Sequence, residues 1–292
     1  MNKELTQAMQ QVETLMEQLV LDSTNDELLA KSMCYSLAAG GKRIRPRIFL
    51  ATLQAFGVPL EEEALKIAAV IEMMHTYSLI HDDLPSVDDD DLRRGKPTNH
   101  KVFGEAMALF AGDALLTLCF EILAQLNLPA SIKTQLIAHL ARAAGPSGIV
   151  AGQASDVQAE KQHVPLERLI QIHERKTGAL LQYCFVAAGI VAGGSKEQLT
   201  LLKTLGMDVG IAFQVRDDLL DILATTQELG KTAGRDLELE KSTYPALLGI
   251  QGAKQALADY LLKAKQACQM LAEDGMDMTE LVKIIEKLEL RD

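Results

Sequence analysis

Residues 64–100 read ALKIAAVIEMMHTYSLIHDDLPSVDDDDLRRGKPTNH, and the change of pattern within them sets the fold class. Up to Ile80 the apolar residues recur at helical spacing, without the alternation of a half-buried strand. From His81 the chain turns sharply polar. Six aspartates fall within positions 82–91, followed by Arg93, Arg94 and Lys96. A disordered acidic tract has no use for the arginines, and a surface ion-pair cluster has no need of six carboxylates without a glutamate among them. The stretch reads as an apolar helix ending in a loop that holds charge.

The same helical period runs outward in both directions, through residues 3–20, 104–126, 166–192, 198–223 and 253–273. The breaks are short and carry turn residues, as in AAGGKRIRP, AFGVPL, LNLPAS, AGPSG, VAGGS and ELGKTAGRD. No linker, low-complexity stretch or fixed-period repeat interrupts them. The expectation is an all-α protein, one domain over residues 1–292, with about ten helices, several longer than the ~11-residue average.

Composition narrows the partners. The chain is 48% hydrophobic and 24% charged, as an ordinary soluble globular protein is. A net charge of −11 argues against nucleic acid as the main partner, since phosphate backbones need a basic face; local basic clusters can still hold a small polyanion. Cys34, Cys119, Cys184 and Cys268 lie far apart, which reads as free thiols in a reducing cytoplasm. The start, MNKELTQAMQQVETL, lacks the apolar core of a signal peptide. Residues 177–195, TGALLQYCFVAAGIVAGGS, carry no charge and approach the ~20 residues that span a bilayer. Their Ala and Gly content, and Gln182 among them, point instead to a helix buried in a bundle. No membrane span is expected.

A second acidic cluster lies in FQVRDDLLD, where Gln214, Asp217, Asp218 and Asp221 are spaced i, i+3, i+4 and i+7 on one helical stripe. One such stripe is compatible with a solvated face. Two acidic motifs at the ends of apolar helices suggest cation binding, and all-oxygen donors suit Mg²⁺, which typically takes one or two carboxylates and completes its shell with substrate phosphates. A calcium loop fits poorly, because the D-x-D-x-D-G spacing is missing. The basic residues complete the argument. Lys42, Arg43, Arg45 and Arg47 follow a glycine turn, Lys176 and Thr177 precede Gly178, and Lys231 and Lys241 follow the second motif. Arginine suits bidentate phosphate contact.

In combination GGKRIRP, HTYSLIHDDLPSVDDDDLRRGKPTNH, AGQASD, RKTGAL, FQVRDDLLD and LGKTAGRD…KSTYPALLG resemble the trans-type short-chain isoprenyl diphosphate synthases, above all their bacterial farnesyl diphosphate synthase branch. The resemblance covers nearly the whole chain and departs at Ala151, where the family usually carries glycine. It implies a single large helical bundle around a central cavity, the isoprenoid synthase type of fold. The activity it implies joins isopentenyl diphosphate to dimethylallyl or geranyl diphosphate, giving a fifteen-carbon product through ionisation of the allylic C–O bond. It assigns Mg²⁺ to Asp82, Asp88 and Asp217, with Asp83, Asp218 and Asp221 supporting, three ions in all and Mn²⁺ able to replace them. Arg93, Lys176, Thr177, Gln214, Lys231 and Lys241 would hold the allylic diphosphate; Lys42, Arg45, His75 and Arg94 would hold isopentenyl diphosphate. A homodimer is expected on the same ground.

Six residues separate Asp82 from Asp88, with Pro85 between them; six is not a whole number of helical turns, so the backbone should deform there. Tyr77, with Ser78 beside it, lies about one turn upstream of Asp82, and by resemblance a bulky residue at 77 limits product length. Geranyl or geranylgeranyl diphosphate synthesis is the near alternative. A terpene cyclase would need an aromatic-lined pocket, against 4% aromatic residues and no Trp. A helical phosphohydrolase built on His75, His81 and Asp82 leaves the second motif unexplained, and a non-catalytic synthase subunit would be expected to have lost a motif.

Overall fold

The computed structural model describes residues 2–160, 162–223 and 242–290, almost all of them helical or in short turns. In chain order the helices are α1 (Lys3–Ser23), α2 (Glu27–Leu37), α3 (Ile44–Ala55), α4 (Glu62–Asp82), α5 (Asn99–Phe103), α6 (Glu105–Gln125), α7 (Ala130–Ala144), α8 (Ile149–Ala159) and α9 (Leu166–His173). After a π-helical turn (Glu174–Gly178) follow α10 (Ala179–Val191), α11 (Lys196–Leu223), α12 (Tyr244–Glu273) and α13 (Thr279–Glu286). The one departure from all-α among the described residues is an antiparallel hairpin of β1 (Leu92–Arg93) and β2 (Lys96–Pro97). The four cysteines are free thiols, as expected. The helices group into two compact units, Met1–Leu50 with Leu60–Ile137 and Ala51–Pro59 with Ala138–Asp292.

In the first unit α4 packs against α1 and α6. Its buried positions run almost without a break from Ala64 to Ile80, which is how a helix apolar on every side is accommodated. A charged pair crosses this interior. Arg43 donates to Glu72 at 2.7 Å and to the Leu37 carbonyl, and reaches Glu13 at 3.4 Å. Glu72 is 1% exposed, so either charge without the other would be strongly destabilising.

In the second unit α11 packs against α10 and α12. Gly206 and Gly210, one turn apart on α11, permit that approach: a Cβ on Gly206 would lie 2.6 Å from the Gln182 Cα, and one on Gly210 2.6 Å from the Gly178 Cα. The uncharged stretch expected to be a buried helix is α10, whose residues Leu180–Leu181 and Tyr183–Ile190 are buried. Among the described residues the helix long and apolar enough to cross a membrane is α6 instead, with 44% of its apolar window buried; its Leu109 and Phe110 are exposed.

Because the contact at Gly210 is backbone against backbone, no rotamer change relieves it. Gly210→Val should destabilise the fold by about 2 kcal/mol or more through overpacking, lowering Tm by about 2–4 °C per kcal/mol. A melting curve within a degree of the parent would remove this helix crossing.

Candidate active site

Helix α4 ends at Asp82, and the chain leaves it through a loop containing Pro85. The Asp88 N–H then donates to the Asp82 carbonyl at 2.9 Å, so the six-residue spacing is absorbed by a closed loop with both aspartates at its neck. Both are half-buried. Asp83 points elsewhere. It is 3% exposed and accepts from Arg93 Nε at 2.7 and 2.9 Å and from Nη2 at 2.5 Å, while Asp90 takes the same guanidinium at 3.3 Å. Burial works against the charge on Arg93, but the Asp83 hydrogen bond and the charges of Asp83, Asp82 and Asp88 together leave the Arg93 pKa above its ordinary value.

Past the acidic run, Arg93 pairs with Lys96 across a two-residue turn in which Arg94 (φ 55°) and Gly95 (φ 76°) both have positive φ, the primed geometry that matches strand twist. For an arginine that conformation costs about 1–2 kcal/mol. It delivers the Arg94 guanidinium to the Gly40 carbonyl, over Gly41, where a Cβ would lie 2.5 Å from Arg94 Cζ. The glycine pair before Lys42 is thus a seat for Arg94.

Arg45 and His75, expected on one substrate, are together: Arg45 Nη1 lies 3.2 Å from His75 Nε2. Burial first, then the positive charges of Arg45, Arg94, Arg93 and Arg43, hold the His75 pKa well below its ordinary value, so the ring is neutral at pH 7. Arg94's own pKa is lowered by burial and by Arg43, Arg93 and Arg45, with Glu72 opposing. Such a concentration of buried (Arg43, Arg45) and half-buried (Arg93, Arg94) cations favours an anion. Arg43, read from sequence as one of the phosphate-facing arginines, is instead committed to Glu72 and the Leu37 carbonyl. Lys42 is exposed. Tyr77 is buried, packs edge-on against His81 with ring centroids 5.7 Å apart, and has its pKa pushed up to about 12, chiefly by burial and then by Asp82. Ser78 is buried and donates to the His75 carbonyl at 2.9 Å.

In the second unit Asp217 is half-buried, and Asp218 and Asp221 are each 3% exposed. A chain of hydrogen bonds fixes this motif: Thr177 Oγ1 donates to Gln214 Oε1 at 3.0 Å, Gln214 Nε2 to Asp218 Oδ1 at 3.1 Å, and the Tyr244 N–H to Asp218 Oδ2 at 3.1 Å. Asp218 therefore sits on the first residue of α12, where the helix dipole favours a carboxylate. Tyr244 starts that helix, with Thr243 capping Ala246 N. Lys176 Nζ lies 2.5 Å from Asp156 Oδ2, and Gly152 lets α8 come this close, since its Cβ would be 2.2 Å from the Lys176 nitrogen. Lys231 and Lys241 lie outside the described residues.

Sequence reasoning missed Asp156, Glu72 and Gln153. Both amide atoms of Gln153 are buried without a hydrogen-bond partner among the described residues, groups that a ligand could satisfy. The signal available was AGQASD itself, quoted as a motif but given no role. For a metal, no three His, Cys, Asp or Glu side chains converge among the described residues. One or two aspartates are the donor set that Mg²⁺ completes with phosphate oxygens and water, so the residues fit that ion.

The chain is similar to proteins that are already known. The sequence profile of the polyprenyl synthetase family matches residues 26–283. The farnesyl diphosphate synthase of Geobacillus stearothermophilus is 45% identical over 284 residues, 96% of this chain and 95% of that one. The farnesyl diphosphate synthase of Bacillus subtilis is 49% identical over 241 residues, 82% and 81% of the two chains. A geranyltransferase from Helicobacter pylori, solved as a complex with magnesium and isoprenyl diphosphate, superposes with a TM-score of 0.80 at 30% identity over 99% of this chain and 95% of that one.

His173, just before the π turn, stacks on Tyr244 with centroids 5.7 Å apart. Its Nδ1 is buried without a partner among the described residues, and burial lowers its pKa to about 3. The unfolded chain protonates this histidine below about pH 6.5, so its contribution to stability is complete above that pH and falls as pH drops toward 3. His173→Phe should flatten the pH dependence of urea unfolding between pH 6.5 and 5 by up to about 1.4 kcal/mol per pH unit. An unchanged slope would mean the ring is not held neutral.

Proposed function

The chain belongs to the polyprenyl synthetase family and acts as a farnesyl diphosphate synthase; we propose that its acidic motifs and its arginine cluster divide that work between metal and substrate. The observation that carries this reading is the neutral His75 among Arg45, Arg94 and Arg93 in the same unit as the closed Asp82–Asp88 loop. Cations that hold a diphosphate directly and carboxylates that hold one through metal are what joining two diphosphate esters requires.

In this proposal Asp82, Asp88 and Asp217 hold Mg²⁺, three ions in all with Mn²⁺ as a substitute. When bound, the metal neutralises the leaving diphosphate so that the allylic C–O bond can ionise. Asp83 keeps Arg93 in place, and Asp218 and Asp221 brace the second motif. Arg93, Lys176, Thr177, Gln214, Lys231 and Lys241 bind the allylic diphosphate. Lys42, Arg45, His75 and Arg94 bind isopentenyl diphosphate, His75 as a neutral imidazole. The new bond joins the double bond of isopentenyl diphosphate to the allylic cation, and the proton released leaves with the diphosphate. Both units act as one synthase domain, in the cytoplasm. Tyr77 stops growth at fifteen carbons: burying hydrocarbon gains about 0.8 kcal/mol per CH₂, so solvation favours longer products and the stop must be steric.

Labelled isopentenyl diphosphate, geranyl diphosphate and Mg²⁺, followed by chromatography of the dephosphorylated products, test both halves. Asp82→Ala and Asp217→Ala should each lose several orders of magnitude in turnover with the fold intact, since only the transition state needs every cation. Tyr77→Ala should move the main product to twenty carbons or more. Near-normal turnover in either aspartate variant sinks the metal assignment, and a Tyr77→Ala enzyme still stopping at fifteen carbons sinks the steric stop.

The exposed apolar face of α6, with Leu109 and Phe110, supports a homodimer burying that face. Sedimentation equilibrium at micromolar concentration should then give twice the 31.8 kDa chain mass, and Phe110→Glu should shift it toward the monomer. A parent sedimenting as a monomer would contradict the assembly.

A further inference from the structure

The π-helical turn has two sets of neighbours. Lys176 and Thr177 engage Asp156 and Gln214. Glu174 and Arg175 instead line a cavity of about 290 Å³ in the second unit, together with His139 and Arg142 of α7, Ser147 and Gln182. A cavity of this size is near the lower end for small-molecule sites, and π turns recur at functional sites. None of these lining residues has a role in the proposed condensation.

The charge of the lining is unusual for an acidic chain. Arg142 and Arg175 give two positive charges against the one negative charge of Glu174. Among the described residues neither guanidinium has a carboxylate within ion-pair distance. The net surplus is positive, in a chain whose formal charge is −11. His139 reports the same field. Its pKa is lowered by burial, then by the charges of Lys203 and Arg142. Gln182 is fixed by donation from Nε2 to the Lys203 carbonyl at 3.0 Å.

We propose that this cavity is a binding site for a small phosphorylated anion, gripped by Arg142 and Arg175. Two guanidinium forks favour a group with several oxygens in different directions, as phosphate and diphosphate have and a flat carboxylate does not. The Ser147 hydroxyl is a further donor in the lining. The inference does not rest on the farnesyl diphosphate synthase reading, because the cavity is lined by none of the residues assigned there.

The test follows the ring protons of His139 by NMR in the full chain without divalent metal, with His139→Asn to assign the signal. Inorganic diphosphate and geranyl diphosphate are titrated in separate arms, so that a free anion and a prenyl ester are distinguished. A bound anion should raise the His139 pKa toward its ordinary value. Arg142→Gln and Arg175→Gln should each weaken binding about tenfold, the loss expected for one charge-assisted contact. Arg45→Gln, which alters the proposed isopentenyl diphosphate site, should leave the His139 response intact. A response in either arm that is lost in the two arginine variants supports the site and names its source. No response in both arms, a response unchanged in the arginine variants, or one reproduced by sodium chloride at equal ionic strength would overturn it.

Discussion

Positive charge gathered around His75 is the constraint on which the first unit depends. Guanidinium groups taken out of water must meet negative charge or strong acceptors. Arg43 is neutralised by Glu72 and Arg93 by Asp83 and Asp90. Arg45 meets the neutral ring of His75 and Arg94 the carbonyl of Gly40. The acidic run beside the arginines therefore has two jobs. Asp83 and Asp90 hold a cation in place, and Asp82 and Asp88, joined at the neck of the loop, are the pair to which the proposed function gives the metal.

The helices were legible because their cause is local. Apolar spacing, turn residues and caps such as Asp26, which accepts from Leu28 N and Leu29 N at 3.0 Å, act within a few residues of themselves. The two acidic motifs were legible for a related reason, since carboxylates interrupting an apolar period have few structural uses. Partner choice was not. Nothing in GGKRIRP tells which arginine will turn inward to Glu72, twenty-nine residues further on. The hairpin at 92–97 escaped because its strands are two residues long, too short to show alternation; Arg94-Gly95 between them was the remaining clue.

The π turn ties the second unit together in a comparable way. Widening the helix for one turn lets Lys176 reach Asp156 and Thr177 reach Gln214, and the bonding continues through Asp218 to the start of α12. Gly152, Gly178 and Gly210 lie at its backbone contacts. A larger residue at Gly152 or Gly210 would meet backbone of the turn and displace it with the side chains it aims, whereas one at Gly178 would first meet the Met207 side chain, so Gly152 and Gly210 serve the turn as much as the packing.

A steric stop in a growing hydrocarbon pocket has its own requirement: the ring must not swing aside. Tyr77 meets His81 edge-on. His81 is itself held by its contact with the Leu109 carbonyl at 3.0 Å and by a surface that only Gly112 leaves open, since a Cβ there would lie 2.1 Å from the imidazole Nε2. The proposed stop is therefore an assembly of α4 and α6, in which the size of residue 77 sets the limit and the crossing at Gly112 keeps it rigid. The residue next to Leu109 is the exposed Phe110, so a partner covering that face of α6 would also stiffen the helix against which the stop is braced.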